Sequence, residues 1–326
     1  MKTEEISVLT DPMPWGQEFL IEGGKRFARK LRDFFWPNQS FFYHPLYRGH
    51  FAVTRSLIEG LQKNNISFNY NPYSANQLAD SVIVLAGIKT LQQAIRLKKK
   101  GKIKKLLAGP NIVNFSSDYD YIVASPEIDY YIVNSKWTLD LYLAECKALQ
   151  GRCIIWPAGV NTNYWRPDPK IDRKSILIFE KQNKGPVGPV SPYADYLRGL
   201  GWPVKVLQYG TFTHDQYLHM LQNSCLMLGF VIDESQGIAW AEAWSVDVPT
   251  LIWENNSNVS KGRSYKSSTA PFLCDQNGLF FKEFEDFKTQ FNYWVTHKEQ
   301  FSPREWTLQN MSDEICAAKL YKLAIK

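Results

Sequence analysis

The chain has little cysteine and little histidine. Its five cysteines, Cys146, Cys153, Cys225, Cys274 and Cys316, are scattered and odd in number, with no C-x-x-C spacing. That pattern argues against a disulfide framework and a structural zinc site, and the thiols read as buried or incidental groups in a reducing compartment. The five histidines show no ligand spacing, so a histidine metal site has no support. No apolar run approaches the ~20 residues that span a bilayer. The amino terminus lacks the apolar core of a secretory signal. A cytoplasmic location is the expectation.

What is present is ordinary in amount and uneven in place. The 326 residues suffice for two domains with buried cores. The net charge is +6, and residues 1–150 carry 19 Lys+Arg against 14 Asp+Glu, or +5 of it. A basic amino-terminal half suggests an anionic partner. Tryptophan and tyrosine are abundant; aromatic faces stack on sugar rings but more often fill cores.

The most informative stretch is residues 222–253. Cys225 to Ile232 is a mostly apolar run of strand length. Asp233 to Gly237 is polar and turn-prone, Ile238 to Val246 suits a helix, and Thr250 to Trp253 after Pro249 reads as another strand. Strand, turn, helix, strand is one unit of a parallel α/β sheet. The first amides of such a helix lack intrahelical partners and sit at the positive end of its dipole. A glycine in the turn permits close approach of a phosphate. Ligands of open α/β sheets lie beyond the carboxyl ends of the strands, where Glu234, Ser235, Gln236 and Gly237 fall. Two acids at this spacing can equally be a helix-start acid and a solvated helix face.

Glu234-Ser-Gln-Gly237-Ile238-Ala-Trp-Ala-Glu242-Ala, followed by Pro249 and a strand, resembles the E-x7-E signature of retaining, nucleotide-sugar-dependent glycosyltransferases of GT-B fold. The group it is most similar to is family 4, relatives of bacterial glycogen synthase. Gln236 stands where that family has an aromatic residue, and Asp247 replaces its late glycine. Other segments resemble it in order: Gly49-His50-Phe51 with the following helix, Tyr130 to Ser135, Trp156-Pro-Ala-Gly159-Val-Asn161 with Tyr164 to Pro167, and Tyr209-Gly210.

The pattern along the chain agrees. Strands are expected at Ser40–His44, Ile66–Tyr70, Ser81–Ala86, Lys105–Ala108, Tyr121–Ala124, Tyr130–Asn134 and Cys153–Trp156. Helices are expected at Ala52–Lys63, Thr90–Lys100 and Thr138–Leu149. Strands recur at Ser175–Phe179, Val204–Tyr209, Cys225–Ile232 and Thr250–Trp253, with helices at Tyr193–Leu200, His214–Gln222, Ile238–Val246 and Glu283–His297. The expected fold is α/β: two Rossmann-like, doubly wound GT-B domains facing a central cleft. Residues 1–36 fit no sheet pattern and form an extension. Residues 37–168 form the acceptor domain, 169–300 the nucleotide-sugar domain and 301–326 a helical tail. Within the extension, 17–35 reads either as a basic amphipathic membrane-surface helix or as a helix packed on its own domain. The run Arg96 to Lys105 reads as a solvated helix end or as a contact to anionic lipid, worth roughly 1 kcal/mol per basic residue. It has no stacking platform or reading helix for nucleic acid.

The resemblance implies site roles. Glu234 would meet hydroxyls of the donor sugar and Glu242 the ribose, while Ser235 to Ile238 would offer backbone contacts to the diphosphate. Lys181 and Lys184 stand where the family has an Arg and a Lys, and Gly210 borders the same site. Asn111, in Gly109-Pro110-Asn111, takes the place of the family's first-domain histidine; no histidine occurs between His50 and His214. An amide can hydrogen-bond a hydroxyl or phosphate but is no base near neutral pH. Arg48, Gly49 and His50 would lie on the acceptor side. The implied protein needs no metal or other cofactor. It takes a nucleoside-diphosphate sugar as donor and a glycan, lipid-linked or protein acceptor, with an anionic membrane surface as a further partner. A non-catalytic glycan- or partner-binding protein and a nucleotide-sugar epimerase are the competing readings on the same fold.

Overall fold

The computed structural model describes residues 5–11, 50–181 and 188–326. Their contacts form two compact units, Met1–Gly159 with Asp313–Lys326, and Val160–Ser312.

The first unit contains β1 (Ile6–Leu9), α1 (His50–Lys63), β2 (Phe68–Tyr70), β3 (Ser81–Ala86), α2 (Ile88–Lys99), β4 (Lys105–Asn111), β5 (Tyr130–Val133), α3 (Lys136–Glu145) and β6 (Cys153–Ile155). The strands form one parallel sheet in the order β2-β1-β3-β4-β5-β6. β3 is apolar after its first residue because a central parallel strand is covered on both faces.

Two expectations need correction. Residues 1–36 fit no sheet pattern in the sequence, yet β1 pairs with both β2 and β3 and all four of its residues are buried. Four residues with a serine among them give too short an apolar run to read. Ser7 is tolerated in the core because its hydroxyl oxygen accepts the Ala79 N–H at 2.9 Å. Tyr121–Ala124 is not a strand either. Tyr119, Asp120 and Tyr121 have φ of 54°, 53° and 56°, and Ile122–Ala124 is a short 3-10 turn. The expected helix at 17–35 and strand at Ser40–His44 lie outside the described residues, as do Arg48 and Gly49.

The second unit contains β7 (Ser175–Glu180), α4 (Ser191–Gly199), β8 (Val204–Gln208), α5 (His214–Gln222), β9 (Ser224–Phe230), α6 (Ile238–Ser245), β10 (Thr250–Trp253), the antiparallel pair β11 (Ser257–Ser260) and β12 (Arg263–Lys266), β13 (Gly278–Phe281), α7 (Phe284–Thr296) and α8 (Pro303–Asn310). Its main sheet is parallel, in the order β13-β10-β9-β7-β8. Alternate side chains of β7 enter opposite cores, as the strand period requires. Leu177 and Phe179 pack with Trp240 and Trp244. Ile176 and Ile178 pack with Phe287, Phe291 and Trp294.

The carboxyl-terminal tail is helical, as its pattern suggests, but in two pieces. α8 packs on α6 in the second unit, and α9 (Asp313–Ile325) packs on α1 in the first. The break lies at Met311–Ser312, where Ser312 bridges to Val160. Gly60 allows the α1–α9 contact: a Cβ there would stand 2.2 Å from the Asp313 carbonyl oxygen. Among the described residues no helix is long and apolar enough to cross a membrane.

Candidate functional site

Three loops converge at the carboxyl edge of the second sheet. Lys181 follows β7, Tyr209-Gly210 follows β8, and Asp233 to Gly237 follows β9. Parallel strands place all three loops on one side, the side on which open α/β sheets bind ligands. Backbone bonds fix the first two to the sheet and the third to the segment after β12. Lys181 N–H donates to Phe230 O at 2.9 Å, Tyr209 N–H to Glu180 O at 2.7 Å, and Glu234 N–H to Ser268 O at 2.9 Å.

The side chains meet there. Lys181 Nζ donates to Glu234 Oε1 at 2.5 Å and lies 4.9 Å from the centre of the Tyr209 ring. Burial works against the charge on Lys181, but Glu234 outweighs it through charge and hydrogen bond, with Tyr209 and Asp233 adding to the effect. The net direction is upward from the ordinary lysine value. The ammonium is therefore fully charged at neutral pH. A fixed cation and a fixed carboxylate stand side by side, a suitable pairing for a ligand with both phosphate and hydroxyl groups.

Gly237 precedes α6 in the left-handed region, φ 81°, which side chains with a Cβ seldom adopt. The volume a side chain there would take is already filled. A Cβ would stand 2.3 Å from Trp240 Cδ1, so the indole occupies that volume. The same ring fills the space beside Gly229, and its Nε1 donates to Thr269 O at 2.8 Å. Tryptophan and two glycines thus set the angle between β9 and α6. Gln236 is buried and Ser235 exposed in the turn. Glu242 is buried on α6 beside α5. Burial foremost, with the Glu242 carboxylate adding to it, pushes the Tyr217 phenol well above its usual pKa. Tyr217 in turn donates to Ala239 O at 2.9 Å, tying α5 to α6.

Sequence reasoning missed the hairpin β11–β12. Asn258 Nδ2 and the Tyr265 hydroxyl both donate to Asp233 Oδ2, at 2.8 and 3.0 Å. Asp233 thereby ties the hairpin to the turn that holds Glu234. Asn255 adds two bonds, donating to Ile232 O and Ser257 O at 2.8 Å each. Burial, then Asp233, pushes the Tyr265 phenol up to about 12. The available signal is Lys261-Gly262 between two short runs of alternating polarity, but their exposure leaves no apolar period to read.

Of the remaining candidates, Gly210 follows β8 with φ 93° and open space where a Cβ would stand. Lys184 lies outside the described residues. In the first unit, Asn111 ends β4 and His50 opens α1. The Asn111 amide nitrogen is buried and has no hydrogen-bond partner among the described residues. No group of three or more His, Cys, Asp or Glu among the described residues is placed to hold a metal ion.

No family model matches the chain, and no curated protein matches it. Solved structures do. HepE from Anabaena, in complex with UDP, aligns with a TM-score of 0.55 at 13% identity over 98% of this chain and 99% of that one. The apo form of the lipopolysaccharide outer core galactosyltransferase WaaB aligns with a TM-score of 0.51 at 13% identity, over 98% and 99%. Sucrose-phosphate synthase from Thermosynechococcus elongatus aligns with a TM-score of 0.50 at 10% identity, over 98% of each chain. At these identities the likeness establishes a common fold: the chain shares the α/β, GT-B architecture of these solved proteins, built from two Rossmann-like units.

Proposed function

We propose that the chain is a retaining glycosyltransferase, family-4-like, that moves a sugar from a nucleoside diphosphate to a glycan, lipid-linked or protein acceptor. The observation that carries this reading is the Lys181–Glu234 pair at the carboxyl edge of the second sheet, beside the start of α6. As the bond from sugar to diphosphate breaks, negative charge grows on the departing phosphate and the sugar becomes oxocarbenium-like. Fixed donors stabilise that charge better than water does, because they need no reorganisation. Lys181 and Lys184 supply cations, and Ser235, Gln236, Gly237 and Ile238 supply backbone contacts. Glu234 accepts from sugar hydroxyls and Glu242 from the ribose. Asn111 donates its amide N–H groups to a phosphate or sugar oxygen from the first unit. Arg48, Gly49 and His50 belong to the acceptor side. Retention follows from attack on the face the phosphate leaves, with that phosphate accepting the proton of the acceptor hydroxyl. The charges named meet the diphosphate without a metal in this proposal. A peripheral place at the inner membrane face, through residues 17–35 and the lysine run before β4, belongs to the same proposal.

Calorimetric titration of the purified chain with UDP, GDP and ADP sugars tests it, alongside Glu242→Ala. Binding of one donor type, weakened tenfold or more in a folded variant, supports the donor site. Absence of binding to all three by folded wild-type protein sinks the transferase reading and leaves a non-catalytic binding protein. Product analysis without acceptor separates transfer from epimerisation.

A further inference from the structure

A ligand-sized feature lies on the first unit. An open hollow of about 580 Å³ sits between α2 and the loop after β4. Pockets for small ligands run roughly 300–1,000 Å³. Gln92 and Arg96 line it from α2, and Tyr119, Asp120, Tyr121 and Ser125 line it from the loop. None of these belongs to the donor site proposed above.

The loop has an unusual backbone. Three successive residues with side chains, Tyr119, Asp120 and Tyr121, adopt left-handed φ/ψ. Each is unfavourable for a residue with a Cβ, and such conformations persist where the surroundings impose them, often at ligand clamps. Here the base of the loop is held from beneath. Asp118 accepts the N–H groups of Asn114 and Phe115 at 3.1 Å each. Ser116 and Ser117 donate to Glu145 Oε2 at 3.2 Å each, and Tyr142 donates to Val113 O at 2.8 Å. What this held loop presents is two aromatic rings, Tyr119 61% and Tyr121 47% exposed.

The polar lining is also open to a ligand. Arg96 and Asp120 are exposed, and neither makes an ion pair among the described residues. One cation and one carboxylate leave the hollow without net charge, so a simple anion would meet Asp120 as well as Arg96. A neutral sugar ring can use both groups. Its hydroxyls accept from Arg96 and Gln92 and donate to Asp120, while its C–H face lies on a tyrosine ring.

The geometry points to a neutral-oligosaccharide-binding site between α2 and the Tyr119–Tyr121 turn. The site stands on its own residues and does not need the transferase reading.

The test is saturation-transfer NMR on the full chain with three probes, maltohexaose, cellohexaose and chitohexaose. At least one probe is expected to receive saturation at its ring C–H protons. The double variant Tyr119→Ala/Tyr121→Ala, with its thermal unfolding midpoint unchanged, is expected to lose the signal fivefold or more. If that variant fails to fold, Arg96→Met on the exposed face of α2 leaves the loop intact and is expected to weaken binding at least threefold. Failure of all three probes to bind wild type, or equal binding by a folded variant, overturns the site. A chain that binds an oligosaccharide here but no nucleotide sugar keeps this site and loses the transferase reading.

Discussion

The indole of Trp240 occupies the volume in which a side chain at Gly237 would begin, with Cδ1 2.3 Å from the position of a Cβ. Gly237 also has φ 81°. Gly237→Ala therefore meets two penalties at once, left-handed strain of about 1–2 kcal/mol and crowding of about 1–3 kcal/mol. Urea unfolding should show a loss of roughly 2–5 kcal/mol. Because the substitution pushes α6 from β9, nucleotide-sugar affinity should fall as well. A loss under about 0.5 kcal/mol would mean that the ring moves aside freely and does not fix the turn.

Lys181 pairs with Glu234, and both side chains are only partly exposed. Lys181→Met keeps the stem and removes the charge. Donor affinity should fall tenfold or more, about 1.4 kcal/mol. It should also lose part of its dependence on salt, since a phosphate–ammonium contact is screened by ions. Titrations at two salt concentrations check this. Equal affinity and equal salt slope in variant and wild type would remove Lys181 from the donor site.

The elements around these residues show what is legible in the sequence. Thr250–Trp253, Ser81–Ala86 and His214–Gln222 stand at the expected boundaries. Each is a buried strand or a capped, periodic helix, and such segments carry their structure in their own pattern. The helix α6 opens at Ile238 as expected. What the sequence hides depends on partners distant along the chain. β1 is a strand because β2 and β3 flank it, 60 or more residues later. The hairpin β11–β12 is held by Asp233, across 25 and 32 residues. In the sequence Gly237 reads as a turn glycine that lets a phosphate approach the backbone, and only packing shows that Trp240 fills the volume a side chain there would take. Local periodicity cannot report any of these contacts.

The Tyr265 phenol sits on Asp233 with its pKa pushed up to about 12, by burial first and by the carboxylate next. A raised pKa means that the folded chain holds this proton more tightly than the unfolded one. The associated stability is fully present below pH ~10, the unfolded value, and is lost as pH rises through the folded value near 12. Tyr265→Phe removes the bond without removing the ring. At neutral pH the hairpin should exchange its amides faster, by roughly tenfold, because a hydrogen bond to a charged group is worth about 1.5–3 kcal/mol. Between pH 10 and 12 the difference between variant and wild type should shrink. Hydrogen exchange near neutral pH and alkaline unfolding curves measure the two parts. A difference that grew with pH would mean that the folded chain holds the phenol proton less tightly than the unfolded one, the reverse of this expectation.

Arg55 and Asp313 anchor the last helix to the first unit. Arg55 Nη1 donates to Asp313 Oδ2 at 2.8 Å, and the Asp313 side chain is wholly buried. Lys63 is the next cation, 4.0 Å away. Burial pushes the Asp313 carboxyl above its ordinary pKa, and Arg55 holds it down only in part. Arg55→Ala leaves the carboxylate buried beside a weaker partner, and breaking such a pair costs about 3–5 kcal/mol. The folded pKa of Asp313 then rises further. Its contribution is fully present below the unfolded value of about 3.9 and is lost as pH rises through the folded value. The variant should therefore be less impaired at acid pH than at pH 8, where the carboxylate must be charged. Denaturant unfolding of both proteins across that range, read as the difference between them, tests this. The gap should widen with rising pH. A gap independent of pH would show that Arg55 acts through its packing on Asp313 and α9, with the carboxylate's charge playing no part.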